Sequence, residues 1–98
     1  MHYFNSSFDT ILSAYIEGVY ASVASIADVN TAQSLKSGYG SFVPILKRKI
    51  ASDAEIFFRA SKDMAQYGAS EDELRQYMAD SCYRTAKMAI DEYTFVIA

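Results

Sequence analysis

Apolar residues recur every three or four positions along most of this chain, a period that predicts helices and not strands. The first such run covers residues 8–27 and carries only two charges, Asp9 and Glu17. We predict a helix there with Ser6 as its N-cap, since Asp9 then lies near the positive end of the helix dipole. The large apolar side chains share one face: Phe8, Ile11, Leu12, Tyr15, Ile16, Val19, Tyr20, Val23 and Ile26.

Small residues form a second face of this first helix. They are Ala14, Gly18, Ser22 and Ser25, spaced so that another helix backbone could approach closely. We expect a close helix crossing at this seam, either within the chain or across a dimer. Because the helix offers so little polar surface, we predict that it is central in the fold and that the protein is a homodimer whose contact covers its second face.

The next segments are set by turn and cap residues. Thr31 is a candidate cap for a short helix over residues 32–37, which Gly38 and Gly40 would end by adopting left-handed backbone conformations. Pro44 then suits the first turn of a further helix that begins after Ser41.

Residues 42–67 fit either one helix or two. Ser52 followed by Glu55 has the spacing of a capping box and favours a break. Oppositely charged residues four apart favour one continuous helix, which is our preferred interpretation: the pairs are Lys49–Asp53, Glu55–Arg59 and Arg59–Asp63. The apolar face of this segment comprises Val43, Leu46, Ile50, Ala54, Phe57, Ser61 and Met64.

Gly68 should end that segment, and Ser70 with Glu73 forms the clearest capping box in the chain. The last helix should pair Glu71–Arg75, Asp80–Arg84 and Lys87–Asp91 along its outside. Its predicted inner face comprises Leu74, Tyr77, Met78, Ser81, Cys82, Thr85, Met88, Ala89 and Tyr93. Residues 94–98 carry no charge, so we expect them to pack against the protein's own core or another subunit.

These segments predict an all-α fold: a compact bundle of three long helices plus one short helix. A chain of 98 residues with 51% hydrophobic residues can build one core but not two, so residues 1–98 should form a single domain.

Charge and cysteine content limit which partners and which cellular location the protein can have. The net charge of −3 is too small to draw the whole molecule to nucleic acid or an anionic membrane. Glu17 would cost roughly 3 kcal/mol at the centre of a bilayer, so we expect no membrane span. The one cysteine, Cys82, excludes an intramolecular disulfide, and no basic run precedes the first apolar segment. Both features favour a cytoplasmic location.

Candidate catalytic chemistry is sparse. The one histidine is His2, near the chain end, so Cys82 has no further histidine to activate it. Helix capping accounts for the acidic run at residues 71–73, and Asp91 with Glu92 suits a solvated face, since neither has a histidine at a helical metal spacing. We predict no catalytic residue, no cofactor and no metal site.

Candidate binding residues fall in two groups. Lys47, Arg48 and Lys49 are consecutive, so on a helix their side chains point about 100° apart. Three interpretations are open: a solvated face, a contact for an acidic protein and, as the weakest, a contact for nucleic acid. Tyr39, between two glycines, and Tyr67, at a helix end, could be exposed interface anchors or could fold back over the end of the bundle. For Tyr67 the second interpretation is preferred.

The leading hypothesis is a small cytoplasmic protein without enzymatic activity that binds another protein by occupying its surface, in an inhibitor, immunity or chaperone-like role. The alternative is a nucleic-acid-binding regulator that uses Lys36 and the three consecutive bases. A third possibility is a bundle with a ligand slot between its aromatic side chains, of which the chain has 8 tyrosines and 6 phenylalanines.

Overall fold

The computed structural model describes residues 7–37 and 42–97. The three long helices contact one another in pairs and the short helix packs on the third, which confirms the predicted all-α bundle. The predicted chain turn at Gly38 and Gly40 lies outside the described residues. The elements, in chain order, are α1 (Phe8–Ile26), α2 (Val29–Ser37), α3 (Phe42–Gln66) and α4 (Glu71–Ile97).

The core lies where the inner faces of α1, α3 and α4 meet. The buried side chains of α1 recur every four residues, so its large apolar face packs on both other long helices as predicted. Its opposite side, which includes Ser13, Glu17 and Ala21, is exposed. The main core residues are Ile11, Tyr15, Val19, Val23, Phe42, Ile45, Leu46, Ile50, Ala54, Phe57, Leu74, Cys82, Ala86 and Ala89.

The N-terminal caps of α1 and α2 differ from the prediction. Ser7 caps α1, and its Oγ accepts a hydrogen bond from the Thr10 N–H at 3.4 Å; the predicted cap, Ser6, lies outside the described residues. At α2 the Asp28 carboxylate accepts from the Thr31 N–H at 2.7 Å, which lowers the pKa of Asp28 by stabilising its charged form. Thr31 therefore lies inside α2 with its side chain buried, and its prediction as the cap was wrong.

α3 is one continuous helix of 25 residues, as preferred. Ser52 lies inside it, so the Ser52–Glu55 pattern does not begin a helix; Glu55 instead pairs with Arg59, with Oε1 and Nη2 2.7 Å apart. Lys49 pairs with Glu92 of α4 at 3.5 Å, a contact between helices that spacing along α3 could not reveal.

The turn between α3 and α4 forms as predicted. Gly68 adopts φ +95°, a conformation that costs other residues a clash of their Cβ. Ser70 Oγ accepts from the Glu73 N–H at 3.1 Å, and Glu73 Oε1 accepts from the Ser70 N–H at 3.2 Å. These two bonds confirm the capping box and fix the start of α4.

The C-terminal end of α4 differs from the prediction. Tyr93 packs on Phe42, with ring centroids 5.3 Å apart, but Phe95 is 83% exposed. Because two residues turn a helix by about 200°, Phe95 points away from the core that Tyr93 faces. Phe95 therefore does not pack on the protein's own core, and the other alternative, packing against another subunit, stays a prediction.

Candidate protein-binding surface

The predicted basic cluster is divided between two faces of α3. Arg48 and Lys49 both reach Glu92 on α4, Arg48 through a close ion pair and Lys49 with Nζ 3.5 Å from Oε1. Lys47 points elsewhere and lines a groove between α3 and α1. Two of the three bases thus link α3 to α4 through one shared carboxylate, which offsets one of their two positive charges.

Exposed apolar side chains follow the side of the bundle where α3 and α4 meet. Ile56 of α3 is 63% exposed and Met88 of α4 is 45% exposed, and both line the same small pocket. Phe95 lies seven residues beyond Met88 and therefore on the same side of α4. We call Ile56, Met88 and Phe95, with Arg84 and the Glu92 ion pairs beside them, the α3/α4 face.

A polar cluster lies beneath this face. The Tyr15 hydroxyl carries one proton, and two acceptors lie within reach of it: the Ser81 carbonyl oxygen at 3.1 Å and Thr85 Oγ1 at 2.8 Å. The Thr85 hydroxyl donates to Asp53 Oδ2 at 2.7 Å. The cluster joins all three long helices and gives each buried hydroxyl a partner, which such groups need in an apolar interior.

Burial raises the pKa of the two nucleophilic groups in the core. It raises the pKa of Tyr15 to about 12 and that of Cys82 to about 11. Both groups are therefore protonated at neutral pH, and the weakly nucleophilic thiol and phenol forms predominate. Their positions fit packing and hydrogen bonding, with the Cys82 thiol donating to the Tyr15 carbonyl oxygen at 3.6 Å.

The pocket on the α3/α4 face is small, at about 140 Å³, and is lined in part by Tyr15, Phe57 and Tyr77. These rings pack on one another, with centroids 5.5 and 5.2 Å apart along the row. Pockets for drug-sized ligands typically measure about 300–1,000 Å³. The aromatic side chains in this row thus fill the space that a ligand slot between them would need.

The predicted small-residue seam of α1 faces α4 of the same chain. A Cβ placed on Gly18 would lie 2.6 Å from Cys82 Sγ, so only glycine fits this crossing without a shift. Ala14, Gly18 and Ser22 also line an open groove of about 460 Å³ between α1 and α4. Ser25, the fourth seam residue, is exposed.

The two tyrosine candidates have different outcomes. Tyr67, in the turn after α3, is 86% exposed, so the preferred interpretation that it folds back over the bundle was wrong. Its exposure fits an interface anchor. Tyr39 lies outside the described residues.

Two further findings concern residues 7–37 and 42–97. No group of three or more His, Cys, Asp or Glu side chains in these ranges is arranged to hold a metal ion. No helix there combines the length and the apolar character that crossing a bilayer requires.

The sequence pattern missed the α3/α4 face. Met88 was assigned to the inner face of α4, whereas Ile56 lies one residue before the buried Phe57 and outside the predicted apolar stripe. The position of Ile56 was a usable signal for this face. A large apolar residue outside the apolar stripe of its helix points toward solvent or a partner.

Comparison of this chain with known protein families, curated proteins and solved structures finds no match. Its function must therefore be inferred from its own residues and their arrangement.

Proposed function

We propose that this protein is a small non-enzymatic binding module that acts by occupying the surface of a partner protein with its α3/α4 face. The observation that carries the proposal is the pair of exposed apolar side chains, Ile56 and Met88, beside Arg84 on one pocket rim. Methionine and arginine are enriched in protein interfaces, where apolar centres are surrounded by polar rims. By covering that surface, the protein would act on its partner in an inhibitor, immunity or chaperone-like role.

The charges around the face favour a protein partner over nucleic acid. Arg48 and Lys49 already share Glu92, so a phosphate would have to compete with that carboxylate for both bases. A nucleic-acid site normally presents several unneutralised bases in register. Elution from a heparin column at low salt is the expected behaviour, and strong retention that depends on Lys47, Arg48 and Lys49 would favour the nucleic-acid alternative.

The chemistry of the interior supports the absence of enzymatic activity. Tyr15 and Cys82 are buried, and burial raises their pKa values, so both stay in the protonated, weakly nucleophilic form that suits structural roles. We also propose a cytoplasmic location, because the single buried thiol of Cys82 suits a reducing compartment.

Self-association is a second part of the proposal. The open α1/α4 groove, with exposed Ala21 and Ser25 beside it on α1, offers a surface of small side chains on which a second copy could pack closely. A homodimer should appear in light scattering at high micromolar concentration and weaken in Ala21→Arg, where an exposed cation replaces a methyl group. A monomer at every concentration would contradict this part.

The proposal is tested by affinity capture from the native cells with matched variants. Ile56→Ser/Met88→Ser removes both apolar anchors, and since both side chains are already exposed the fold should persist by circular dichroism. Val29→Ser, an equally conservative change at an exposed site on α2, is the control.

We expect a defined partner to be retained by the wild type and by Val29→Ser and lost with the double variant, because interface anchors contribute about 2 kcal/mol or more each. Equal capture by all three proteins would show that the α3/α4 face is not the binding surface.

A further inference from the structure

A separate groove lies between α1 and α3, on the other side of α3 from the Glu92 ion pairs. It is lined by Leu12, Ile16 and Tyr20 of α1 and by Lys47, Ile50 and Ala51 of α3, and encloses about 340 Å³. The three α1 residues are four apart, so they form one row about 12 Å long. We call this feature the α1/α3 groove.

The groove is apolar and accessible. Ile50, 5% exposed, belongs to the core beneath it, whereas Ile16 is 37% exposed at its edge. An apolar trough two helical turns long matches the surface that an amphipathic helix occupies with side chains at positions i, i+4 and i+7.

Lys47 gives the groove its charge. Its side chain is exposed, and among the described residues it has no ion-pair partner, unlike Arg48 and Lys49. A ligand that fills the groove would therefore leave one cation at the rim to be matched. The complementary ligand has an apolar face and a carboxylate beside it.

We propose that the α1/α3 groove binds an acidic amphipathic segment of a partner protein, with apolar side chains against Ile16 and Tyr20 and a carboxylate on Lys47. This site is distinct from the α3/α4 face and does not depend on it.

Other occupants fit less well. Anionic membrane surfaces attract clusters of several bases, whereas this groove has one lysine on a chain of net charge −3. A symmetric pairing of two copies over this groove would bring both Lys47 side chains into one interface, where like charges oppose association.

The test uses a displayed library of random peptides of about 15 residues, long enough to form a helix on binding. Peptides enriched on the wild-type protein are synthesised, and their affinities are measured by fluorescence anisotropy against Lys47→Glu, Ile16→Ser and the control Lys87→Glu. Lys87 is likewise exposed but lies on α4, away from the groove. Circular dichroism establishes that all variants fold.

We expect enriched peptides with acidic residues beside a helical apolar stripe. Their affinity should fall by about tenfold or more for Lys47→Glu and Ile16→Ser and stay within about twofold for Lys87→Glu. The proposal is overturned if no peptide is enriched, or if the enriched peptides bind Lys47→Glu and Ile16→Ser as well as the wild type.

Two further measurements distinguish the other occupants. Dodecanoate is titrated against the methyl NMR signals of Leu12, Ile16 and Ile50; saturable shifts lost in Lys47→Glu would assign the groove to a fatty acid and overturn the peptide proposal. Dimerisation that disappears in Ile16→Ser would assign it to a second copy. If Ile56→Ser/Met88→Ser abolishes peptide binding and the two groove variants do not, the peptides bind the α3/α4 face. That result would also overturn the groove proposal.

Discussion

The contact between Gly18 and Cys82 makes a specific prediction about α1 and α4. In Gly18→Ala the new Cβ would lie 2.6 Å from Cys82 Sγ, well inside ordinary contact distance. Sγ cannot move away without cost, because it donates to the Tyr15 carbonyl oxygen and few cysteine rotamers are open inside a helix.

The net effect combines two opposing terms. Overpacking of this kind costs about 1–3 kcal/mol, whereas alanine is about 1 kcal/mol better than glycine inside a helix. Gly18→Ala should therefore lower the free energy of unfolding by about 1 kcal/mol. In a Cys82→Ala background the obstructing sulfur is absent, so the same change should raise the free energy of unfolding by up to about 1 kcal/mol.

The assay is urea denaturation followed by circular dichroism, for the wild type, both single variants and the double variant. Gly68→Ala is the control: its cost arises from φ +95° and nothing lies within 4 Å of the added Cβ, so it should be equal in both backgrounds. If Gly18→Ala has the same effect with and without Cys82, the close crossing of α1 and α4 is refuted.

Further predictions concern the buried cluster, the caps and alkaline pH. Thr85→Val, which leaves polar partners unpaired, should destabilise the fold by about 1–3 kcal/mol, whereas exposed Thr94→Val should change it by less than about 0.5 kcal/mol in the same urea assay. Ser70→Ala should cost about 1 kcal/mol and Ser52→Ala almost nothing, since the first caps α4 and the second lies inside α3; equal costs would contradict the caps described. Because burial raises the pKa of Tyr15 from 10.0 to about 12, its stabilising contribution is complete below pH 10 and is lost as the pH rises through about 12. Urea titrations over this range should show a steeper loss for the wild type than for Tyr15→Phe, and identical slopes would contradict the assignment.

The fold followed from local signals in the sequence. The helical period identified all three long helices, and the capping box at Ser70 and Glu73 placed the start of α4 correctly. The same pattern at Ser52 and Glu55 does not cap a helix, because the spacing recurs inside helices whenever an ion pair such as Glu55–Arg59 is present.

The sequence predicted a close helix crossing at the small-residue seam, but not which residue the seam contacts. Gly18 marked a close crossing, yet only the three-dimensional arrangement identifies Cys82 of the same chain as the group it meets. Contacts between distant parts of the chain cannot be predicted from the spacing of apolar residues within either helix.

The candidate surfaces were the least predictable feature. Three adjacent bases looked equivalent in the sequence, but Arg48 and Lys49 meet Glu92 from a distant part of the chain while Lys47 does not. Met88 fitted the apolar stripe of α4 and is nonetheless 45% exposed, because the width of the buried stripe depends on how α3 lies beside it.

Site-specific photo-crosslinking in the native cells tests whether the α3/α4 face binds a protein partner. Benzoylphenylalanine is introduced at Ile56 or, as a control, at exposed Val29 on α2. We expect a discrete crosslink to one other protein from position 56 and none from position 29. No crosslink from position 56, or the same products from both positions, would show that the α3/α4 face is not the binding surface.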